Sequence, residues 1–198
     1  MDANVRHAVK ADLPALEVTL ADAFHDDPMM AWIYPDPATR AEFTQTFMRI
    51  GLDMGFPHGH VYATDRDGAA AVWAPPDVDL FDDDAITNMF TVLGEQIGAR
   101  SEEVGAGLLS VTEHHPHDVP HFYLFILGTA RAHQSGGLGS KLMREVLDRC
   151  DRQAMGAYLE SSNVRNVPFY ERHGFRVQAE VAVSPECTIR PMWRDPQS

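Results

Sequence analysis

Two runs of this chain carry residue types that could do chemistry. The first, residues 121–151, reads HFYLFILGTA, then RAHQSGGLGS, then KLMREVLDRCD: an apolar strand, a glycine-crowded turn and an amphipathic helix. Such a turn is an anion cradle, because its free N–H groups and the positive end of the helix dipole both favour a phosphate. The second run, YLESSNVRNVPFYERHGF at 158–175, carries Glu160 and Tyr170. A phenol with an ordinary pKa of about 10 is protonated at neutral pH, so Tyr170 can serve as a general acid. Glu160, at the end of a predicted strand, is the best-placed base, directly or through a water. The competing readings are a tyrosine packing a short helix onto the sheet and a structural carboxylate accepting backbone N–H bonds. Glu113, His114, His115 and His117 are rival bases, as are Asp26 and Asp27. The HHPH run has no Cys or carboxylate partners at ligand spacing, so it reads as solvated loop rather than a metal site.

The glycine turn excludes two common phosphate loops. No Gly-Lys-Ser/Thr follows at the spacing of a P-loop, and Ser140-Lys141 comes in the reverse order. A dinucleotide fingerprint starting at Gly137-x-Gly139 would meet Leu142 where its third glycine belongs. What remains is Gln134-x-x-Gly137-x-Gly139. In it Ser135, Gly136, Gly137, Leu138, Gly139 and Ser140 offer consecutive N–H groups, with Leu142, Val146 and Cys150 packing behind.

The elements that must hold these groups are set by periodicity. A short strand at 4–9 leads to a helix with Asp12 as its cap and Leu13, Leu16, Leu20 and Phe24 on one face. That helix stops before Pro28. MMAWIYPDP suits a short helix or lid, and a longer helix over 38–54 turns Phe43, Phe47, Ile50 and Met54 inward. HVYAT and AAAVWA flank Asp65-Arg66-Asp67-Gly68, a hairpin signal in which Asp-Gly supplies the positive φ of the turn. From Asp82 a 3.6 period through Ile86, Met89, Phe90, Leu93 and Ile97 predicts a helix, and Ser101 is expected to cap another carrying Val104, Leu108 and Val111. After the cradle come a strand at 156–160, a short helix at 164–173 ended by Gly174, and two strands around Ser184-Pro185. The order is that of a mixed α/β fold in one domain of residues 1–198, with a helical insertion at about 82–114.

Composition narrows the partners. A formal charge of −13 over 198 residues argues against a nucleic-acid role, so an anionic ligand must be held by local geometry. Only two cysteines are present, Cys150 and Cys187, too few for a disulfide framework, and a reducing cytoplasm is the expectation. No apolar run approaches the roughly 18 residues of a membrane span, and no signal peptide is visible.

The run from Tyr158 to Phe175 resembles the C-terminal half of the GNAT superfamily of N-acetyltransferases, in which a strand is followed by an N-x-x-x-x-x-x-Y helix and a Gly-Phe step. Gln134-x-x-Gly137-x-Gly139 resembles that superfamily's acetyl-CoA pyrophosphate motif, and VRHAVKADLPAL with the AF-x-x-DP element resembles its N-terminal strand and helix. Arg131 stands where proline is common, and Ser135 where a glycine often sits. The resemblance implies a mixed, mostly antiparallel central sheet flanked by helices, acetyl-CoA as cosubstrate, no metal, and Tyr170 as the acid that protonates the leaving thiolate. It implies that Asn166 or Asn163 hydrogen-bonds the pantetheine arm, though plain N-capping by Asn163 competes. It also implies that the strand edge at Leu127, Gly128 and Thr129 pairs with that arm, Gly128 allowing close approach. An alkyl amine with a pKa of about 10.4 is neutral in roughly one molecule in 2,500 at pH 7, so a base or a depressed substrate pKa contributes about 4–5 kcal/mol. Trp32, Tyr34, Trp73 and Phe81, with Asp26, Asp27 and the acids of 77–84, suit a cationic, partly aromatic amine acceptor. The expected chemistry is direct transfer to a small-molecule primary amine. A protein or peptide acceptor and a non-catalytic acyl-CoA sensor are the alternatives, and the assembly is a monomer or a homodimer joined through the 82–109 helices.

Overall fold

The computed structural model describes residues 4–65 and 68–197. Eight strands build one sheet: β1 (Val5–His7), β2 (Val61–Thr64), β3 (Ala69–Ala74), β4 (His121–Thr129), β5 (Gly156–Ser161), β6 (Arg176–Val177), β7 (Val181–Ser184) and β8 (Cys187–Arg194). Their order is β1-β2-β3-β4-β5-β8-β6, with β7 also paired to β8. Among the described residues the pairings are antiparallel except β4 with β5. The mixed, mostly antiparallel sheet expected from the sequence is therefore the observed one.

Helices cover both faces. On one side lie α1 (Leu13–Ala23), α2 (Pro28–Ile33), α3 (Pro37–Gly55), α4 (Asp83–Ile97) and α5 (Ser101–Thr112); on the other lie α6 (Leu138–Arg152) and α7 (Val167–Glu171). The alternation of β3 divides two cores. Ala70 and Val72 join Leu16, Leu20 and Met48 on the first face, while Ala69, Ala71 and Trp73 join Leu142, Val146 and Cys150 on the second. A strand buried on both faces reads as a continuous apolar run, and AAAVWA does. Small residues let α3 lie close to the sheet: a Cβ on Gly51 would meet Ile126, and one on Gly55 would meet Val72.

The sheet carries one irregularity beside its open edge. In the β3–β4 ladder Val72 faces Ile126 but Trp73 faces Leu124, so Phe125 is the extra residue of a bulge. The parallel β4–β5 register ends at Leu124 with Leu159. Beyond that point β4 continues to Thr129 with its β5-facing edge open, while β5 runs on paired to β8. Two parallel strands thus splay apart at their C-terminal ends, where ligands bind in sheets of this kind.

Two local expectations are corrected. Asp12 does not cap α1 through its side chain. It turns back to accept the Val9 N–H at 2.7 Å and pairs with Arg6, and the chain enters α1 through a 3-10 turn at Lys10–Asp12. Ser101 is the first residue of α5 rather than its cap, and its hydroxyl donates to the Gly98 carbonyl at 2.6 Å. The β2–β3 hairpin is present, while the expected Asp-Gly turn conformation involves Arg66 and Asp67, which lie outside the described residues. Asp82 does cap α4, accepting from Ala85 N at 2.8 Å.

Candidate active site

The glycine turn leaves β4 through a 3-10 turn at Arg131–His133 and enters α6 at Leu138. Gln134 Nε2 donates to the Thr129 carbonyl at 3.2 Å and so ties the turn to the strand end. Two residues take left-handed conformations, Ser135 at φ 63° and Gly137 at φ 80°. The first helical bond is Lys141 N–H to the Gly137 carbonyl at 3.1 Å. The N–H groups of Ser135, Gly136, Gly137, Leu138, Gly139 and Ser140 have no hydrogen-bond partner among the described residues, as the start of a helix requires unless a ligand supplies one.

A cavity of about 600 Å³ lies over this turn. Leu127, Gly128, Thr129, Gln134, Ser135, Gly137, Leu138, Gly139, Ser140, Asn166 and Tyr170 line it, whereas Gly136 of the same turn does not. Sequence reasoning missed its basic rim: Arg131, Arg165 and Arg172 converge there from the turn, the chain before α7 and the end of α7. A protein of net charge −13 therefore concentrates cations where an anion would sit. Arg131, the departure from proline, is anchored by Asp22, which accepts its backbone N–H at 2.7 Å and its Nε–H at 2.8 Å. These bonds, led by the one from the backbone N–H, hold the Asp22 carboxyl below the usual carboxylate range. Free N–H groups, three arginines and an open strand edge fit the pyrophosphate and the extended amide arm of CoA.

A second cavity, of about 620 Å³, opens on the other side of β4 beneath α4 and α5. Its walls are largely apolar, with Phe81, Ile86, Met89, Phe90, Leu108 and Phe125 among them. Its charged residues are Asp27, Asp79, Asp118 and Glu160; no lysine or arginine lines it among the described residues. Of the four aromatics expected around an acceptor only Phe81 is there. Trp73 is fully buried against α6, while Trp32 and Tyr34 are buried under the helices, with Trp32 Nε1 donating to Glu103 and the Tyr34 hydroxyl hydrogen-bonded to Gln96. Asp26 lies on the other cavity.

The two cavities meet at Phe24, Asp27, Leu127, Asn166 and Tyr170. Tyr170 is 8 % exposed, and burial, with the Asp27 carboxylate adding to it, raises its pKa. Its hydroxyl has no protein hydrogen-bond partner among the described residues, so it is available to whatever occupies the junction. Asn163 accepts from Arg165 N at 3.0 Å as a cap and also lines the first cavity, while Asn166 lines both cavities. Asp27 caps α2 through Met29 N at 2.9 Å and also accepts the Ser162 hydroxyl at 2.5 Å, joining α2 to the end of β5. Burial raises the Asp27 pKa.

Glu160 lines the second cavity with its side chain 13 % exposed. No backbone N–H among the described residues donates to its carboxylate, so the structural-carboxylate reading finds no support. Tyr123, Tyr158 and His115 surround it; burial, with the Glu160 charge adding to it, raises both phenol pKa values. The HHPH expectation is corrected in part. His114 and His117 are exposed, but His115 is half-buried, packs edge-on against Tyr123 and Tyr158, and faces Glu160 at 3.6 Å. Among the described residues no group of three potential ligands could hold a metal ion.

Residues 52–175 match the model of the acetyltransferase (GNAT) family. An "uncharacterized N-acetyltransferase" of Schizosaccharomyces pombe is 31% identical over 80 residues, covering 39% of this chain and 32% of the relative. The match thus spans about a third of that curated relative's length. Solved structures share the fold end to end at low identity. A structure described as histone acetyltransferase HPA2 and related acetyltransferase from Corynebacterium glutamicum has a TM-score of 0.73 at 22% identity, over 100% of this chain and 98% of its own. Arylalkylamine N-acetyltransferase 2 of Aedes aegypti gives 0.67 at 11% identity over the whole of both chains. The polyamine N-acetyltransferase of Drosophila melanogaster gives 0.63 at 16% identity, over 98% and 100%. The chain belongs to the acetyltransferase (GNAT) family.

Proposed function

We propose that this GNAT-family acetyltransferase moves an acetyl group from acetyl-CoA to the primary amine of a small, largely apolar molecule, by direct transfer in a ternary complex. The observation that carries the reading is the meeting of two cavities at Tyr170: one cationic and rich in free N–H groups, the other apolar and acidic. Acetyl-CoA, held in the first, supplies a thioester carbonyl at the junction. Leu127, Gly128 and Thr129 receive its extended arm along the open edge of β4, and an N–H of that edge faces the developing oxyanion. Asn166 bonds the arm's amides. Glu160 takes the proton that an alkylammonium must lose before it can attack, and Tyr170 gives one to the departing thiolate. No acyl-enzyme is required, and both thiols suit that: burial pushes Cys150 up to about 12 and Cys187 up to about 11.

The whole chain acts as one domain, with the 82–114 insertion roofing the acceptor cavity. An apolar, acid-lined cavity under a roof favours a compact cationic amine over a peptide, which needs an open groove. Relatives of the same fold are described as arylalkylamine, polyamine and agmatine N-acetyltransferases. The runs GLDMG, DGAAAVWAPP and ESSNVRNVPFYER also resemble puromycin N-acetyltransferase, which puts aminonucleosides on the acceptor panel. The two buried free thiols fit a reducing, cytoplasmic setting. No helix among the described residues is long and apolar enough to cross a membrane.

The test is CoA-thiol release from acetyl-CoA against arylalkylamines, polyamines, aminonucleosides and peptides. Release with one small-amine class supports the reading. Release with peptides alone would move the assignment to a protein acetyltransferase. Tight acetyl-CoA binding without release from any amine would move it to a sensor.

A further inference from the structure

The wall of the acceptor cavity around Glu160 holds two histidines that the transfer scheme leaves unused. His121 Nδ1 lies 2.7 Å from the Val119 carbonyl, an oxygen that can only accept, so Nδ1 carries the hydrogen. His121 Nε2 lies 3.2 Å from His115 Nε2. With His121 neutral, its Nε2 offers a lone pair, and the hydrogen between the two rings must belong to His115 Nε2. Burial, the largest influence on His121, lowers its pKa and keeps the ring neutral. The remaining nitrogen of a neutral His115, Nδ1, is then a bare lone pair, and it faces Glu160 Oε1 at 3.6 Å. A lone pair and a carboxylate oxygen at that separation are a site for one proton.

We propose that Glu160 and His115 act together as the base for the acceptor amine, with His121 as the positioning residue that locks His115 into the tautomer whose Nδ1 faces Glu160. The proposal rests on the acetyl-transfer reading of the same cavity. The ammonium's N–H bond breaks, its electron pair stays on nitrogen, and the proton goes to the Glu160–His115 pair. The N–C bond then forms and the C–S bond breaks. Tyr170 gives its proton to sulfur and takes the second proton lost by the amine, so one proton leaves the site. His115 is the exit, since its side chain keeps 23% of its surface in solvent and its ring neighbours the exposed His117. The groups facing His115 are Glu160 and Tyr158 from β5, Tyr123 and His121 from β4, and His117 from its own connection. None of these is a cation that would repel the incoming proton while the histidines are neutral.

Two measurements test this, and the first needs no turnover. Nitrogen-15 NMR of the wild-type protein at alkaline pH reads the tautomers: Nδ1–H for His121 and Nε2–H for His115 are expected. An Nδ1–H tautomer at His115 overturns the proposal. The second is the pH profile of kcat on the best amine. His115→Gln is expected to lower kcat by about a hundredfold, the low end for a lost proton-transfer group. The variant's acid limb should be displaced, its KM for acetyl-CoA unchanged, and its activity partly restored by added imidazole. His121→Gln should displace the same limb by less. An active wild type whose His115→Gln variant keeps the parental pH profile overturns the proposal and leaves acetyl transfer standing. A wild type inactive on every amine sinks the transfer reading instead, and the tautomer measurement still decides the histidine geometry.

Discussion

Replacing Tyr170 by phenylalanine removes one oxygen from the point where the two cavities meet. The ring's packing is unaffected, since Phe169 and Phe175 both contact it edge-on through its carbons. The hydroxyl has no partner among the described residues, so its loss leaves no orphaned donor or acceptor in the protein. Stability should therefore change by less than about 0.5 kcal/mol, and Tm by no more than about 2 °C. Activity should not be spared. A positioned acid contributes about 10²–10⁴ in rate, which is about 2.7–5.4 kcal/mol of transition-state stabilisation. The thiolate, with a thiol pKa of about 8.5, is a tolerable leaving group even unprotonated, which places the expected loss in kcat near the lower bound of about a hundredfold. Because burial raises the Tyr170 pKa above its ordinary value of about 10, the acid stays protonated across the working range, and the wild-type kcat should show no alkaline limb below about pH 10. Steady-state kinetics of thiol release, with acetyl-CoA affinity by calorimetry and Tm alongside, separate the effects. A kcat within threefold of wild type, with affinity and Tm preserved, would refute the assignment of Tyr170 as the acid.

The packing sets three further outcomes. Gly137→Ala meets nothing within 4 Å but must hold φ at 80°, at a cost of about 1–2 kcal/mol, so acetyl-CoA affinity should fall while Gly137→Asn, which tolerates that conformation, restores most of it. Gly107→Ala would bring a Cβ to 2.6 Å from the Trp32 ring; α5 must lift by the overpacking equivalent of about 1–3 kcal/mol, and the KM for the amine should rise more than that for acetyl-CoA because α5 roofs only the acceptor cavity. Asp151→Ala leaves Arg194, 3 % exposed and otherwise bonded through Nε to the His173 carbonyl, as an unpaired buried cation. With Asp151 a quarter exposed the loss should be near the low end of the usual range, about 3 kcal/mol, or roughly 6–12 °C in Tm. Its pH dependence has a definite sign. The hydrogen bonds from Arg194 depress the folded Asp151 pKa, so the stabilisation is complete above the unfolded value of about 3.9 and disappears as pH falls through the lower folded value; thermal melts of wild type and variant should converge in acid.

The parts of this molecule that could be read from its sequence are those whose cause is local. A glycine turn between an apolar strand and an amphipathic helix is read from a short run, and Gly137 takes its left-handed conformation at the start of α6. Asp82 caps α4 with Asp83 and Asp84 in its first turn, and the apolar run AAAVWA becomes a strand, each for reasons contained within a few residues. What could not be read depends on which way a side chain points after the chain has packed. Phe125 is the clearest case. In LFIL every residue is apolar, so periodicity cannot show that one of them is extra, yet that bulge accompanies the parting of β4 from β5 and opens the edge on which the proposed chemistry depends. Trp32 and Tyr34 are equally ambiguous in sequence, because an aromatic run bounded by prolines suits a pocket wall and a core alike; packing in the first core buries both, with Trp32 bonded to Glu103 and Tyr34 to Gln96. The arginines on the rim of the first cavity lie on separate elements, and none of the three belongs to a basic run. His115 and Glu160 are separated by all of β4, all of α6 and most of β5, and only the parallel pairing of β4 with β5 brings His121 and Glu160 onto one wall of the cavity. A histidine-rich connection is solvated loop when nothing packs on it. Here Tyr123 and Tyr158 do, and they hold His115 half-buried beside Glu160.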